Sequence, residues 1–291
     1  SDPRSLFREQ LSAAQYLNHR YGQPVIGWRH EMETLDREDA LSFYGTYYAP
    51  NNAILVVSGD VEPEEVRQLA EKYYGVIPAN PDLPERFRSQ EPPQTAERRM
   101  VCRDPCVAQP YVQRSYLAPE RNSGAQEKAA ALYLLAELLG GGNTSYLANA
   151  LQFDQQLAVY TGAFYSGVSL DKTSFSFLVV PAEGVGMQEA EDALDATFAR
   201  FLEEGVDPDQ LERIKLQLRA AEIYARDNVD GIANRYGQAL TSGLTVEDVQ
   251  EWPHILQSVT ADEIIAVARE VLQPEASVTG WMVRADEEVT Q

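Results

Sequence analysis

The stretch "WRHEMETLDREDALSFYGTYYAPNNAILVVSG", residues 28–59, has a counterpart near the other end of the chain in "WPHILQSVTADEIIAVAREVLQPEASVTGWMV", residues 252–283. A shift of 224 positions lays Trp28 on Trp252, His30 on His254, Leu35 on Val259, Asp36 on Thr260 and Pro50 on Pro274. Each copy reads as an N-cap, acidic residues in a first turn, a helix, a proline stop and an apolar strand. The Asp36 or Thr260 side chain accepts from free N–H groups at the helix start, and Glu38, Asp39, Asp262 and Glu263 suit the positive end of the helix dipole. A further echo, "RYGQ" at 20–23 and at 235–238, precedes both copies in the same order. A cap–helix–proline–strand unit is common by itself. The shared Trp-x-His and the shared tetrapeptide, in order, point to two related domains.

Outward from the first copy, residues 3–17 carry Leu6, Phe7, Leu11, Ala14 and Leu17 at helical spacing. Residues 19–28 hold Gly22, Pro24 and Gly27 and read as an ordered loop. "AILVVSGDV" (53–61) predicts a buried strand, and Pro63 and Gly75 bracket another helix. Residues 78–99 hold five prolines among polar residues and predict an extended linker. Beyond it, strand material at 100–119 and helices at about 124–139 and 144–154 lead to strands "LAVYTGAFYSG" and "TSFSFLVVP". Helices follow at roughly 187–204, 208–228, 229–242, 246–257 and 260–272, and the strand "SVTGWMV" closes the pattern. The mixture predicts an α+β fold, two homologous domains of mixed or antiparallel sheet packed against helices. Strict βαβ alternation is absent, which argues against a doubly wound nucleotide-binding sheet.

The second copy has about 160 residues between its first strand and Val259, whereas the first has 34 residues before Leu35. A lone strand satisfies neither its backbone groups nor both its faces. The expected division is therefore residues 1–80 as the C-terminal part of a truncated first domain, 81–99 as a Pro-rich linker, and 100–291 as a complete second domain.

Net charge is −21, with 45 acidic and 24 basic residues, so phosphate backbones and anionic lipids are repelled and nucleic acid is excluded as a partner. No apolar run approaches the length of a membrane span, and no signal peptide is visible. Cys102 and Cys106 lack a neighbouring histidine and do not make a zinc site. They read as two ordinary thiols or, in an oxidising compartment, as a short-loop disulfide.

Motifs for chemistry are incomplete. His19, His30 and His254 are the three histidines, and none has another four residues away, so no zinc-binding helix pattern exists. His30 and His254 are equivalent in the repeat and are expected to share a packing or capping role, while His19 is expected to be solvated in its loop. "LGGGNTSYL" (139–147) lacks the Gly-Lys-Ser/Thr ending of a phosphate loop. It reads as a helix stop with Gly140 left-handed, followed by a cap at Asn143, Thr144 or Ser145.

"YGQPVIGW", "LDREDALSFYGTYYAPNNAILVVSGDV", "QPYVQRSYLAP", "LLGGGNTSYLANAL" and "EIYARDNVDGIANRYGQALTSGLTVEDVQEWP" together resemble the M16 (pitrilysin and mitochondrial processing peptidase-like) zinc metallopeptidases, in particular the C-terminal portion of a bacterial member. The resemblance implies two homologous α+β domains and a zinc motif in the first of them, ahead of residue 1. The chain is thus expected to carry no catalytic residue, bind no zinc itself and be inactive alone, while its parent is a zinc metalloendopeptidase. Its expected role is to help enclose peptide substrates, as a homo- or heterodimer with another M16-like chain. The alternative is a non-catalytic partner or scaffold subunit. Several members grip substrate with an Arg and a Tyr seven residues apart; Gln152 and Val159 occupy those places here, with Tyr160 adjacent but expected on the opposite strand face. Bacterial relatives of this type are often exported, so the resemblance favours a periplasmic or exported protein.

Overall fold

The computed structural model describes residues 2–285. Both copies of the repeated unit build the helix that their caps predict. In the first copy α3 spans Arg37–Tyr47, and in the second α10 spans Ala261–Val271. Each opens with reciprocal bonds: the Asp36 and Thr260 side chains accept from the backbone N–H of Asp39 and Glu263, whose carboxylates accept in return from the cap N–H. Each ends in a short 3-10 turn that begins with proline, Pro50–Asn52 and Pro274–Ala276.

There the likeness stops. Residues 277–284 form β5, held parallel to β1 (Arg98–Asp104) on one side and antiparallel to β2 (Tyr111–Ala118) on the other. Antiparallel pairing continues from β2 to β4 (Thr173–Pro181) and on to β3 (Ala158–Tyr165), giving a mixed five-stranded sheet in the order β1-β5-β2-β4-β3. The buried strand expected at 53–61 does not form: those residues join no sheet, and Ile54, Leu55 and Val57 are exposed. An apolar run specifies a strand only where neighbouring strands take its N–H and C=O groups, and none of the described strands lies beside it.

One face of the sheet is layered with helices. Beyond its exposed first turn, α5 (Glu127–Gly140) is almost wholly apolar and buried from Ala129 to Leu139, as a helix enclosed by its neighbours must be. It rests on β3 and β4 and is covered in turn by α7 (Pro208–Ala225), α9 (Val246–Ser258) and α10. Gly140 is the last residue of α5 rather than a left-handed stop. A Cβ there would fall 1.8 Å from the Ala163 backbone nitrogen, so glycine is required by the close approach of helix to strand. The positive φ belongs to Gly142, and Ser145 caps the next segment through the Ala148 N–H. That segment, 148–154, is π-helical. α6 (Met187–Glu204) is tied to the same face by Glu191, which accepts from both Arg99 Nη atoms at 2.7 and 2.8 Å, from Arg114, and from Trp281 Nε1 at 2.7 Å. Burial raises the Glu191 pKa, but these cationic and indole donors outweigh it and hold the carboxyl below its ordinary range. α8 (Val229–Thr241) completes the layer beside α9.

The other face is covered only in part. α1 (Pro3–Gln15) lays Phe7 and Leu11, one turn apart, on Val278 and Met282 of β5. Each buried side chain contributes about 1.5–3 kcal/mol. Gly280 makes this seat possible, since a Cβ there would lie 2.6 Å from the Phe7 ring. α1 thus packs on the sheet of residues 98–284 rather than on α2 (Arg29–Met32), α3 or α4 (Pro63–Tyr73).

The Pro-rich stretch is extended, as expected, yet it is fastened along its length. The Glu91 carboxylate accepts from the backbone N–H groups of Leu17, Asn18 and His19 at 2.8, 2.9 and 2.8 Å. Arg88 donates to the Leu170 carbonyl at 2.9 Å, and Gln94 to that of Ser277 at 2.7 Å. Burial pushes the Glu91 pKa up, but the three N–H bonds and nearby Arg98 more than reverse it. No helix among the described residues is long and apolar enough to cross a membrane.

Candidate functional site

Because α1 sits over β5, the face of β4 and β3 beside it stays open. Strand alternation and register place its residues in rows. Phe164 pairs with Ser176 and Ser176 with Ser115; Gly162 pairs with Leu178 and Leu178 with Gln113; Tyr160 pairs with Val180. The floor is therefore small and polar near α1 and aromatic at the outer edge. Tyr160 and Phe164 are 45% and 47% exposed, and the Phe164 ring and the Tyr160 hydroxyl both lean over Gly162, where a side chain would clash with the Phe164 ring. β3 ends the sheet, so one row of its backbone groups has no strand partner. A cleft of about 450 Å³, bordered by Tyr16, Tyr21, Gln23, Val25 and Ser174, lies between the α1 end and β4.

Local bonds hold the rim of this face. Tyr21 Oη accepts from Ser169 Oγ at 3.1 Å and Leu170 N–H at 3.3 Å, and Tyr16 Oη donates to the Lys172 carbonyl at 3.1 Å. His19, expected in solvent, is instead buried. Its Nε2 lies 3.2 Å from Asp171 Oδ2, and its Nδ1 accepts from the Tyr21 N–H, which fixes Nε2 as the protonated nitrogen of the neutral ring. The sequence hid this because the partner at 171 is remote in the chain.

The residues nominated for substrate contact separate. Gln152, in the π-helical segment, turns its amide onto Thr161 Oγ1 at 2.8 Å, on the helix-covered side of β3. Val159 is an extra residue in β3: the pairing jumps from Ala158↔Pro181 to Tyr160↔Val180. Such a bulge interrupts the period-2 count, and Val159 and Tyr160 are both exposed. Val159 borders a cleft of about 640 Å³ at the sheet end, with Gln109, Pro181, Met187 and Arg284. Phe164 was not singled out by sequence, although Tyr-x-Gly-x-Phe at 160–164 is the period-2 signal of an open aromatic row.

Cys102 and Cys106 are both free thiols, the first partly covered beneath α1 and the second exposed in the turn after β1, so the short-loop bridge is not formed. His30 and His254 are both exposed and neither packs in a core. Among the described residues no group of three or more His, Cys, Asp or Glu side chains is arranged to hold a metal ion. With His19 engaged by Asp171 and the other two histidines on separate helices, the donor set does not fit zinc.

A mixed five-stranded sheet with helices on one face and an incompletely covered second face defines an α+β fold, preceded by an N-terminal repeat of its last capped helix and proline-led turn. The family model described as the peptidase M16 inactive domain matches residues 34–218, and the chain belongs to that family. Zinc protease PqqE of Helicobacter pylori is 24% identical over 271 residues, covering 92% of this chain and 59% of that protein. The mitochondrial-processing peptidase subunit beta of Lentinula edodes is 23% identical over 275 residues, covering 91% and 58%. The chain thus spans under two thirds of the length of these relatives. Among solved structures, a protease from Helicobacter pylori superposes with TM-score 0.88 at 21% identity, covering 97% of this chain and 67% of that one. A peptidase M16 inactive domain from Pseudomonas fluorescens gives 0.80 at 16%, covering 100% and 68%. The first half of the periplasmic protease PqqL from Escherichia coli gives 0.78 at 19%, covering 97% and 61%. At these identities the superpositions establish the fold.

Proposed function

We propose that this chain is a wall of an M16-type peptidase assembly, holding extended peptide against the open β4–β3 face while zinc and the catalytic residues come from other parts of the parent protein. The half-covered sheet carries this reading. α1 shields β5 and leaves an edge strand, β3, whose free N–H and C=O groups suit an added peptide strand, with Tyr160 and Phe164 as apolar contacts. Val159 and Tyr160 border the site, whereas Gln152, bound to Thr161, supports β3 from behind. The net charge of −21 favours peptides with basic residues. The lobe of α3 and α4, with Leu41, Phe43, Tyr44 and Ile54 exposed, belongs to a first domain whose remaining strands and helices cover those residues. Export and pairing with another M16-like chain follow the periplasmic and subunit relatives.

The test is fluorescence anisotropy with a labelled, unstructured basic peptide. Phe164→Asp or Tyr160→Asp is expected to weaken binding about tenfold or more, because a charge then meets the apolar contact. Unchanged affinity in both variants defeats the proposal. A second reading is a non-catalytic partner subunit; Gln152 and Val159 in the places of the substrate-gripping Arg and Tyr fit this reading as well as a zinc-bearing parent. Metal analysis and peptide cleavage by the intact parent separate the two: stoichiometric zinc with cleavage supports the first, and neither supports the second.

A further inference from the structure

On the outer helical layer, with α5 and the sheet between it and the open face, α7 and α9 enclose a trough of about 700 Å³ floored by Tyr133. Its apolar wall is Leu218 of α7 against Trp252 and Leu256 of α9. Trp252 is held rigidly, with the Arg121 guanidinium 3.8 Å from its ring centroid on one side and the Tyr133 ring meeting it near-perpendicularly at 6.2 Å. Burial brings the Arg121 pKa down to about 10, and Asp248 opposes the fall, so the cation still caps the indole at neutral pH. A fixed aromatic wall of this kind lowers the entropy lost when a partner docks.

The charges at the trough are unlike those of the rest of the chain. Arg219 on α7 and Arg226 at its C-cap both line it, seven residues and therefore about 10 Å apart along the helix. Glu222, between them, is engaged by Arg235 of α8 at 2.6 Å, and neither Arg219 nor Arg226 has a carboxylate within ion-pair distance among the described residues. In a chain of net charge −21, an apolar trough edged by two uncompensated arginines selects for negative charge. No unpaired strand edge borders it, so the matching element is a helix laid between two helices.

We infer that the α7–α9 trough docks an amphipathic helix of a separate partner protein, with an apolar stripe on Leu218, Trp252 and Leu256 and two carboxylates one heptad apart facing Arg219 and Arg226. The surface is independent of the peptide-binding face of β3.

The probe is a fluorescein-labelled helical peptide of about eighteen residues with a Leu/Phe stripe and two glutamates seven positions apart. Its control carries lysines in their place. Anisotropy with the full chain at low salt is expected to show the glutamate peptide binding at least about tenfold more tightly than the lysine peptide, with the difference shrinking as salt rises. The double variant Arg219→Glu/Arg226→Glu, checked for unchanged thermal unfolding, is expected to reverse the preference, whereas the charge-preserving Arg219→Lys/Arg226→Lys keeps it. Equal binding of the two peptides, no binding of either, or a preference that survives the charge reversal overturns the inference.

Discussion

α3 and α10 are each eleven residues long, open on the same capping box and run through a proline-led turn into an apolar stretch. Yet Val278 is fully buried in β5 while Ile54, its counterpart 224 positions earlier, is 51% exposed. Caps and helix lengths are decided within a few residues, so both copies possess them. Burial is decided by remote strands, and only the second copy has β1, β2 and α5 against it. The pair separates local from non-local determinants inside one chain.

That separation can be broken by matched substitutions. Leu272 is buried and Tyr48, at the same repeat position, is 68% exposed. Leu272→Ala is expected to cost about 2–5 kcal/mol in denaturant unfolding, and Tyr48→Ala no more than about 0.5 kcal/mol. Similar costs at both sites would show that the first copy is packed after all. A smaller effect is expected from making the second copy resemble the first at Gly280, which corresponds to Val56. Gly280→Val drives side-chain atoms into Phe7 and Leu11, and overpacking of this kind costs about 1–3 kcal/mol. Faster proteolysis within residues 3–15 would accompany the loss as α1 lifts away, and retained protection there would argue against the seat described. Smallest of all, Asp36→Ala and Thr260→Ala should each remove about 1 kcal/mol of helix stability, read as a local rise in amide exchange, because both caps are made alike. A large difference between the two caps would mean that tertiary contacts, not the boxes, hold these helices.

The same division explains what could be read in advance. The α+β class, the helix starts at Asp36 and Thr260, and the order of strands and helices after residue 98 were legible because each rests on short-range pattern. The strand expected at 53–61 failed because an apolar run carries no information about who will pair with it. That Val159 and Tyr160 are both exposed was hidden because one extra residue at Val159 is invisible to a period-2 count. His19 looked solvated because Asp171 is 152 positions away. Of the open face, the aromatic row could have been found from its alternation. Its openness could not, since it depends on where α1 comes to rest.

The clasp at Glu91 gives the proline-rich stretch a fixed arithmetic. Residues inserted ahead of Arg88, which is itself tied to the Leu170 carbonyl, can bulge out as slack, whereas one added between Glu91 and β1 would strain the carboxylate's hold on the three amides of 17–19 or the register of β1 along β5. The Arg88–Glu91 clasp thus divides the segment into a part that tolerates added length and a part that is measured against the sheet.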